Sequence, residues 1–358
     1  MYQLRPILRR GLFQTKHIRR LATASDNAQQ QQQPPASNNL VRLVEVGPRD
    51  GLQNEKKSIS LATKLELIER LAKSGLQDIE AGSFVSPKWV PQMADSDAIL
   101  SHLLSKPPAS RSPIRYSFLA PNLKGFENAI SVLDKHPNPS LFSDNLPVEI
   151  SVFAAATESF SEKNLNCSIA TSLEKFKPVI QGAKERGFNV RAYISVVLGC
   201  PFEGYDVDPR RVAEIATDLL EMGADEIALG DTTGMGTAPR TSDLLRAMQA
   251  AGVRSEDIAM HFHDTYGQAL VNTAISLEHG IRSFDSSIGG LGGCPYSPGA
   301  TGNVSTEDMV YFLESLGMDC GDVDLNSLVD TGSWITGHIG KPNSSSVGKA
   351  LLGRRQQV

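Results

Sequence analysis

Two histidines one residue apart, His261-Phe262-His263, are the side chains in this sequence best suited to metal chemistry. They close an apolar run of strand length, and side chains on a strand alternate, so residues two apart share a face. Both imidazoles therefore point the same way, and Asp50 could complete a set of ligands for a divalent ion. Each ring needs an acceptor on its other nitrogen, which Glu80 or another rim carboxylate is expected to supply. Glu80 itself interrupts an apolar run, where a carboxylate needs a partner. Arg49, beside Asp50 and after the rigid Gly47-Pro48, is the natural one. Asp231 ends a further run, as an active-site carboxylate or as a cap for the next turn. Cys294 sits in Gly289-Gly290-Leu291-Gly292-Gly293-Cys294-Pro295. The glycines would let a mobile lid carry the thiol to a bound substrate. A thiol whose pKa approaches neutrality can act there as a proton donor.

Eight apolar runs must position these groups: 41–46, 78–81, 116–119, 148–153, 190–197, 226–229, 258–262 and 283–287. Amphipathic helical stretches alternate with them. One opens at Asp208-Pro209, keeps Val212, Ala216, Leu219 and Met222 on one face, and reaches Gly223 as a left-handed cap. Similar patterns run into Gly75 and Gly280. Eight such units predict an α/β fold, a (β/α)8 TIM barrel with extra C-terminal helices, rather than an open sheet with a Gly-x-Gly-x-x-Gly turn. Barrel enzymes carry their chemistry at the C-terminal strand ends. Asp50, Glu80, Arg191, Tyr193, Asp231, the histidines and the Cys294 loop all fall at or near those ends. The long stretches 105–113 and 134–147 precede strands and belong to the opposite face.

The first 25 residues contain six basic residues and no acid, the composition of a mitochondrial transit peptide. A Gln/Pro-rich linker follows over 26–38. The barrel is expected over 39–305 and a helical segment packed on it over 306–353. Beyond residue 25 there are 29 basic against 40 acidic residues, which argues against nucleic-acid binding. No run is long and apolar enough for a membrane span. The four cysteines, Cys167, Cys200, Cys294 and Cys320, lie far apart and form no disulfide or zinc framework.

Four segments carry a resemblance: Val44 through Glu55 with Gly47-Pro48-Arg49-Asp50-Gly51-Leu52-Gln53-Asn54, Ser83 through Asp95, His261-Phe262-His263-Asp264-Thr265-Tyr266-Gly267-Gln268, and Gly289 through Tyr296. From residue 40 to 308 the chain resembles the 3-hydroxy-3-methylglutaryl-CoA lyase family of metal-dependent barrel lyases. The resemblance implies cleavage of that thioester to acetyl-CoA and acetoacetate, as in ketogenesis and leucine degradation, in the mitochondrial matrix. It implies Asp50, His261, His263 and Asn303 as ligands of Mg2+ or Mn2+, Arg49 as the cation for the enolate, and Glu80 as its support. Cys294 would be the acid, and Asp231 or His261 the base. Gln53, Asn164, Arg191 and Tyr193, with Arg49, would bind the CoA thioester. A homodimer is also implied. The chain departs from the family at Ala81-Gly82 and at Ala228, where a seryl hydrogen bond worth roughly 1 kcal/mol would be absent. The rivals are a condensing synthase of the isopropylmalate or homocitrate type and a non-catalytic metal-binding relative. The Gly-Gly-Leu-Gly-Gly-Cys-Pro-Tyr loop separates the chain from the synthases.

Overall fold

Each of the eight apolar runs forms a strand in this computed structural model, which describes residues 39–136, 148–293 and 302–356. The strands are β1 (Arg42–Glu45), β2 (Asp78–Ser83), β3 (Arg115–Leu119), β4 (Glu149–Ala155), β5 (Asn189–Ser195), β6 (Glu226–Asp231), β7 (Ile258–Phe262) and β8 (Ser283–Ser286). Every pairing is parallel and joins neighbours in sequence, and β8 returns to β1, so the sheet closes into a barrel. Strands buried on both faces need helices outside. These are α1 (Leu61–Lys73), α2 (Ser96–Ser105), α3 (Leu123–Leu133), α4 (Glu158–Leu165), α5 (Ile169–Glu185), α6 (Pro209–Glu221), α7 (Ala238–Ala250) and α8 (Ala269–Glu278).

Local chemistry sets their ends. Asp208 accepts from the Arg210 N–H and Pro209 opens α6, while Gly223 follows its end at φ +109°. Gly75 and Gly280, at φ +92° and +85°, stop α1 and α8 in the same way. The 106–114 connection enters β3 from its N-terminal side, as its place in the sequence requires. Of the second long connection, residues 137–147 lie outside the described residues, as do the expected transit peptide and linker over 1–38.

Three further helices, α9 (Thr306–Ser315), α10 (Leu325–Ile339) and α11 (Ser346–Arg355), complete the described chain. α10 packs on α1, with Arg70 over the Trp334 ring at 4.4 Å, and on the turn Ile288–Gly290. A side chain at Gly289, where φ is +63°, would meet Thr336 of α10 at 2.9 Å. No helix among the described residues is long and apolar enough to cross a membrane.

Ion pairs occupy the N-terminal end of the barrel. Arg42 engages Glu226 and Asp78, and Arg115 lies 3.5 Å from Asp78 and 3.8 Å from Glu149. Tyr193, Ala228 and Ala259 form a small buried cluster, with Phe153 packed against it. Ala228, the position departing from the family, pairs in register with Tyr193.

Candidate metal centre

His261 is the fourth residue of β7 and His263 follows the strand end, so alternation brings both rings inward, 5.2 Å apart. Each ring has a fixed tautomer. His261 Nδ1 lies 2.9 Å from Asp285 Oδ2, and His263 Nδ1 lies 3.1 Å from the Asp231 carbonyl oxygen. Both oxygens can only accept, so both Nδ1 atoms donate and both Nε2 lone pairs are left free. The acceptor for His261 is therefore Asp285, not Glu80. Of the acceptors left open by the sequence, Glu80 or another carboxylate, Glu80 is already committed to Arg49.

Asp50 lies in a tight π-type turn, Gly47–Gly51, directly after β1. Its Oδ2 is 3.9 Å from His261 Nε2, and ligand atoms of Asp50, His261 and His263 all lie within 4.8 Å of one another. Asn303 donates Nδ2 to Asp50 Oδ2 at 2.8 Å and to the Leu291 carbonyl at 3.1 Å. Its Oδ1 is buried with no hydrogen-bond partner. Two free imidazole nitrogens, a carboxylate and an orphaned amide oxygen suit a divalent cation.

Electrostatics at Asp50 and His263 favour the same reading. Burial opposes ionisation of Asp50, but Arg49 and the two imidazoles draw its pKa down to about 2. Burial, with His261 beside it, pushes His263 down to about 4, so it is a neutral ligand at physiological pH. At His261 burial lowers the pKa, and the hydrogen bond and charge of Asp285 more than offset it.

Arg49 Nε and Nη2 converge on Glu80 Oε2 at 2.7 and 2.6 Å, while Nη1 reaches Asp50 Oδ1 at 2.8 Å. Tyr193 donates its hydroxyl to the same Glu80 oxygen at 3.2 Å, and its ring lies under the Arg49 guanidinium at 5.4 Å. Gln53 donates to Asp50 Oδ1 at 2.9 Å. Arg191 is wholly buried below the histidines. Its Nη2 donates to Asp285 Oδ1 at 2.6 Å and its Nε lies 3.0 Å from Glu226 Oε2 as an ion pair, while neither Nε nor Nη1 makes a hydrogen bond. Asn164 lies on α4, half-buried, beyond the C-terminal end of β4, and is not joined to this cluster by a hydrogen bond. Cys294 lies outside the described residues.

Asp231, the last residue of β6, accepts the Gly236 N–H through Oδ2 at 2.9 Å. It does cap the following turn, yet its Oδ1 remains buried and unpartnered. Burial pushes its pKa up to about 7. Past β5, Val196 holds φ +58°, a left-handed conformation that costs a β-branched residue ~1–3 kcal/mol, and its N–H donates to Thr232 at 2.9 Å.

Glu45 and Glu307 escaped the sequence reading. Glu45 Oε1 accepts the Gly47 N–H at 2.8 Å and the Ile288 N–H at 2.9 Å, and Oε2 accepts the Thr306 hydroxyl at 2.5 Å. Glu307 Oε2 takes the next amide, Gly289 N–H, at 2.9 Å. Together they anchor the turn that leads toward Cys294.

A parallel barrel with an inward His-x-His pair, an adjacent carboxylate and a braced arginine at the C-terminal rim defines a barrel enzyme with a site suited to a divalent cation. Residues 40–335 match the HMGL-like family. The chain belongs to that family, among the hydroxymethylglutaryl-CoA lyases. It is 52% identical over 314 residues to a 3-hydroxy-3-isohexenylglutaryl-CoA/hydroxy-methylglutaryl-CoA lyase of Pseudomonas aeruginosa, covering 88% of this chain and 98% of the relative. A mitochondrial hydroxymethylglutaryl-CoA lyase of Homo sapiens is 45% identical, with 87% and 89% covered. The solved HMG-CoA lyase of Acenitobacter baumannii in complex with coenzyme A and 3-methylmalate superposes with TM-score 0.78 at 31% identity, covering 88% of this chain and 97% of that one. These likenesses support the lyase reading and not the condensing synthases.

Proposed function

We propose that the chain cleaves 3-hydroxy-3-methylglutaryl-CoA into acetyl-CoA and acetoacetate by a metal-assisted retro-Claisen reaction. One observation carries the reading: two imidazoles with their Nε2 atoms freed beside Asp50, at the foot of an arginine braced on Glu80. Asp50, His261, His263 and Asn303 would hold Mg2+ or Mn2+, since a mixed nitrogen and oxygen set tolerates both. A cation there makes a hydroxyl it touches easier to deprotonate and offsets negative charge.

Asp231 takes the proton of the tertiary hydroxyl. Its Oδ1 is unpartnered and burial brings its pKa to about 7, whereas His261 has one nitrogen on Asp285 and needs the other for the ion. The oxygen's electron pair forms the ketone of acetoacetate as the carbon–carbon bond breaks, leaving an enolate on the departing thioester. Arg49, fixed by Glu80, is the cation that stabilises it. Cys294 then gives a proton to the enolate carbon, completing acetyl-CoA. Gln53, Tyr193, Arg191 and Asn164 shape the substrate pocket. The coenzyme A in the Acenitobacter baumannii complex supports a CoA thioester as substrate.

The same reading assigns the chain to the mitochondrial matrix, on the acid-free basic segment 1–25 and the mitochondrial relatives, and makes it a homodimer. The decisive experiment is a product assay with the purified protein, the thioester and Mg2+ or Mn2+. Acetyl-CoA and acetoacetate should appear in equal amounts; no cleavage, or condensation of acetyl-CoA with a 2-oxo acid, overturns the reading. Import is tested with a fluorescent fusion, which should reach mitochondria only while residues 1–25 are present.

A further inference from the structure

His261 does not end at Asp285. From its Nδ1 a line of alternating charges runs down the barrel interior: Asp285 Oδ2 at 2.9 Å, then from Asp285 Oδ1 to Arg191 Nη2 at 2.6 Å. Arg191 Nε continues to Glu226 at 3.0 Å, and Glu226 is gripped by Arg42 at the N-terminal end. Asp285 and Arg191 are both buried, so neither charge has solvent to stabilise it in another orientation. The carboxylate of Asp285 is thus pinned on one side by a guanidinium and turned on the other toward a single imidazole nitrogen. His263 has no such arrangement, since its Nδ1 meets only a backbone carbonyl.

We infer that Asp285, clamped by Arg191, is a positioning residue that locks His261 in the Nδ1–H tautomer and aims its Nε2 at the metal ion. The inference rests on the metal reading given above and assigns a role to a residue that touches neither ion nor substrate. The orientation is built in before any ion arrives, because the partners on the far side of Asp285 are protein groups in a closed barrel. An asparagine there keeps the shape but can present an amide N–H to Nδ1, which then favours the opposite tautomer and puts a proton on Nε2, where the ion must bind.

The test uses the whole protein and needs no substrate. Mn2+ binding, read from the free-ion electron paramagnetic resonance signal, should weaken about 10- to 100-fold in Asp285→Asn. In parallel, histidine nitrogens are read in 15N-histidine-labelled, metal-free protein at about pH 9, where ordinary imidazoles are neutral. In the wild type both His261 and His263 should carry the proton on Nδ1. In D285N His261 should switch to Nε2–H while His263 keeps its wild-type pattern, an internal control that general loosening of the fold would also disturb. Wild-type Mn2+ affinity in D285N overturns the inference, as does disturbance of both histidines together. Should D285N not fold, the wild-type spectrum decides, and a proton on Nε2 of His261 overturns the inference. A wild type that binds no Mn2+ at all overturns the metal reading itself and this inference with it.

Discussion

Arg49 and Glu80 meet through one oxygen: two guanidinium nitrogens converge on Glu80 Oε2, while Oε1 is buried with no partner. The remaining guanidinium nitrogen, Nη1, goes to Asp50, so its direction is fixed from two sides. A cation held this way is oriented before charge develops, which is where such groups contribute most.

Glu80→Ala should therefore lower kcat by about 10²–10³ while changing KM little, because it removes the brace and not the cation. Arg49→Lys should be comparably impaired, since a lysine cannot satisfy Glu80 and Asp50 together in the fork geometry. Steady-state kinetics on the two variants check this, and activity within about twofold of wild type in both would remove the role given to Arg49.

Extended dialysis against a strong chelator should abolish turnover, and Mn2+ or Mg2+ should restore it. Undiminished activity in metal-free protein would sink the ligand assignment. Asp50→Asn and His261→Ala should each weaken Mn2+ binding measured by calorimetry, because each removes one of the clustered ligand atoms.

Gly302 passes so close to the preceding turn that a Cβ would lie 2.1 Å from the Gly290 carbonyl oxygen and 2.8 Å from the Leu291 carbonyl carbon. Both obstacles are backbone, so Gly302→Ala should destabilise the fold by ~1–3 kcal/mol. It should also weaken Mn2+ binding, since Asn303 is the next residue and its side chain rests on the same Leu291 carbonyl. Thermal unfolding and Mn2+ titration of the one variant read both effects.

Burial pushes Glu45 up to about 7 and Glu307 up to about 8 from an ordinary value of 4.5. A carboxyl with a raised folded-state pKa contributes stability that is intact below about 4.5 and is lost as pH rises through the folded value. Chemical denaturation should therefore show this contribution declining between pH 4.5 and 8. Glu307→Gln, which cannot ionise, should flatten that decline, and by pH 8 its relative gain over wild type should be on the order of 4 kcal/mol. Parallel pH profiles for the two proteins would contradict the assignment.

The barrel was legible because parallel strands buried on both faces leave a strong apolar signal, and all eight runs became strands. His261 and His263 were legible through alternation, and the Glu80–Arg49 pair through the rule that a carboxylate in an apolar run needs a partner. The same rule, applied to Glu45 between Val44 and Val46 and to Asp285 within β8, would have exposed both residues. Their partners could not be named in advance, because Ile288, Thr306 and Arg191 reach them only through closure of the barrel. The buried, doubly engaged state of Arg191 was hidden for the same reason.

Glu45 ties together an amide two residues away, another 243 residues on and a hydroxyl 261 residues on. A ribosome delivering this chain releases Arg49 and Asp50 early but withholds Ile288 and Thr306 until most of the barrel has emerged. The nascent protein consequently carries an acidic, half-built metal site with neither its turn anchored nor Asn303 available. Maturation of the centre is thus tied to completion of synthesis: a chain truncated before residue 303 should be inactive for want of Asn303, and one truncated before residue 283, which also lacks β8, should be prone to aggregation with the β1 and β7 edges left open.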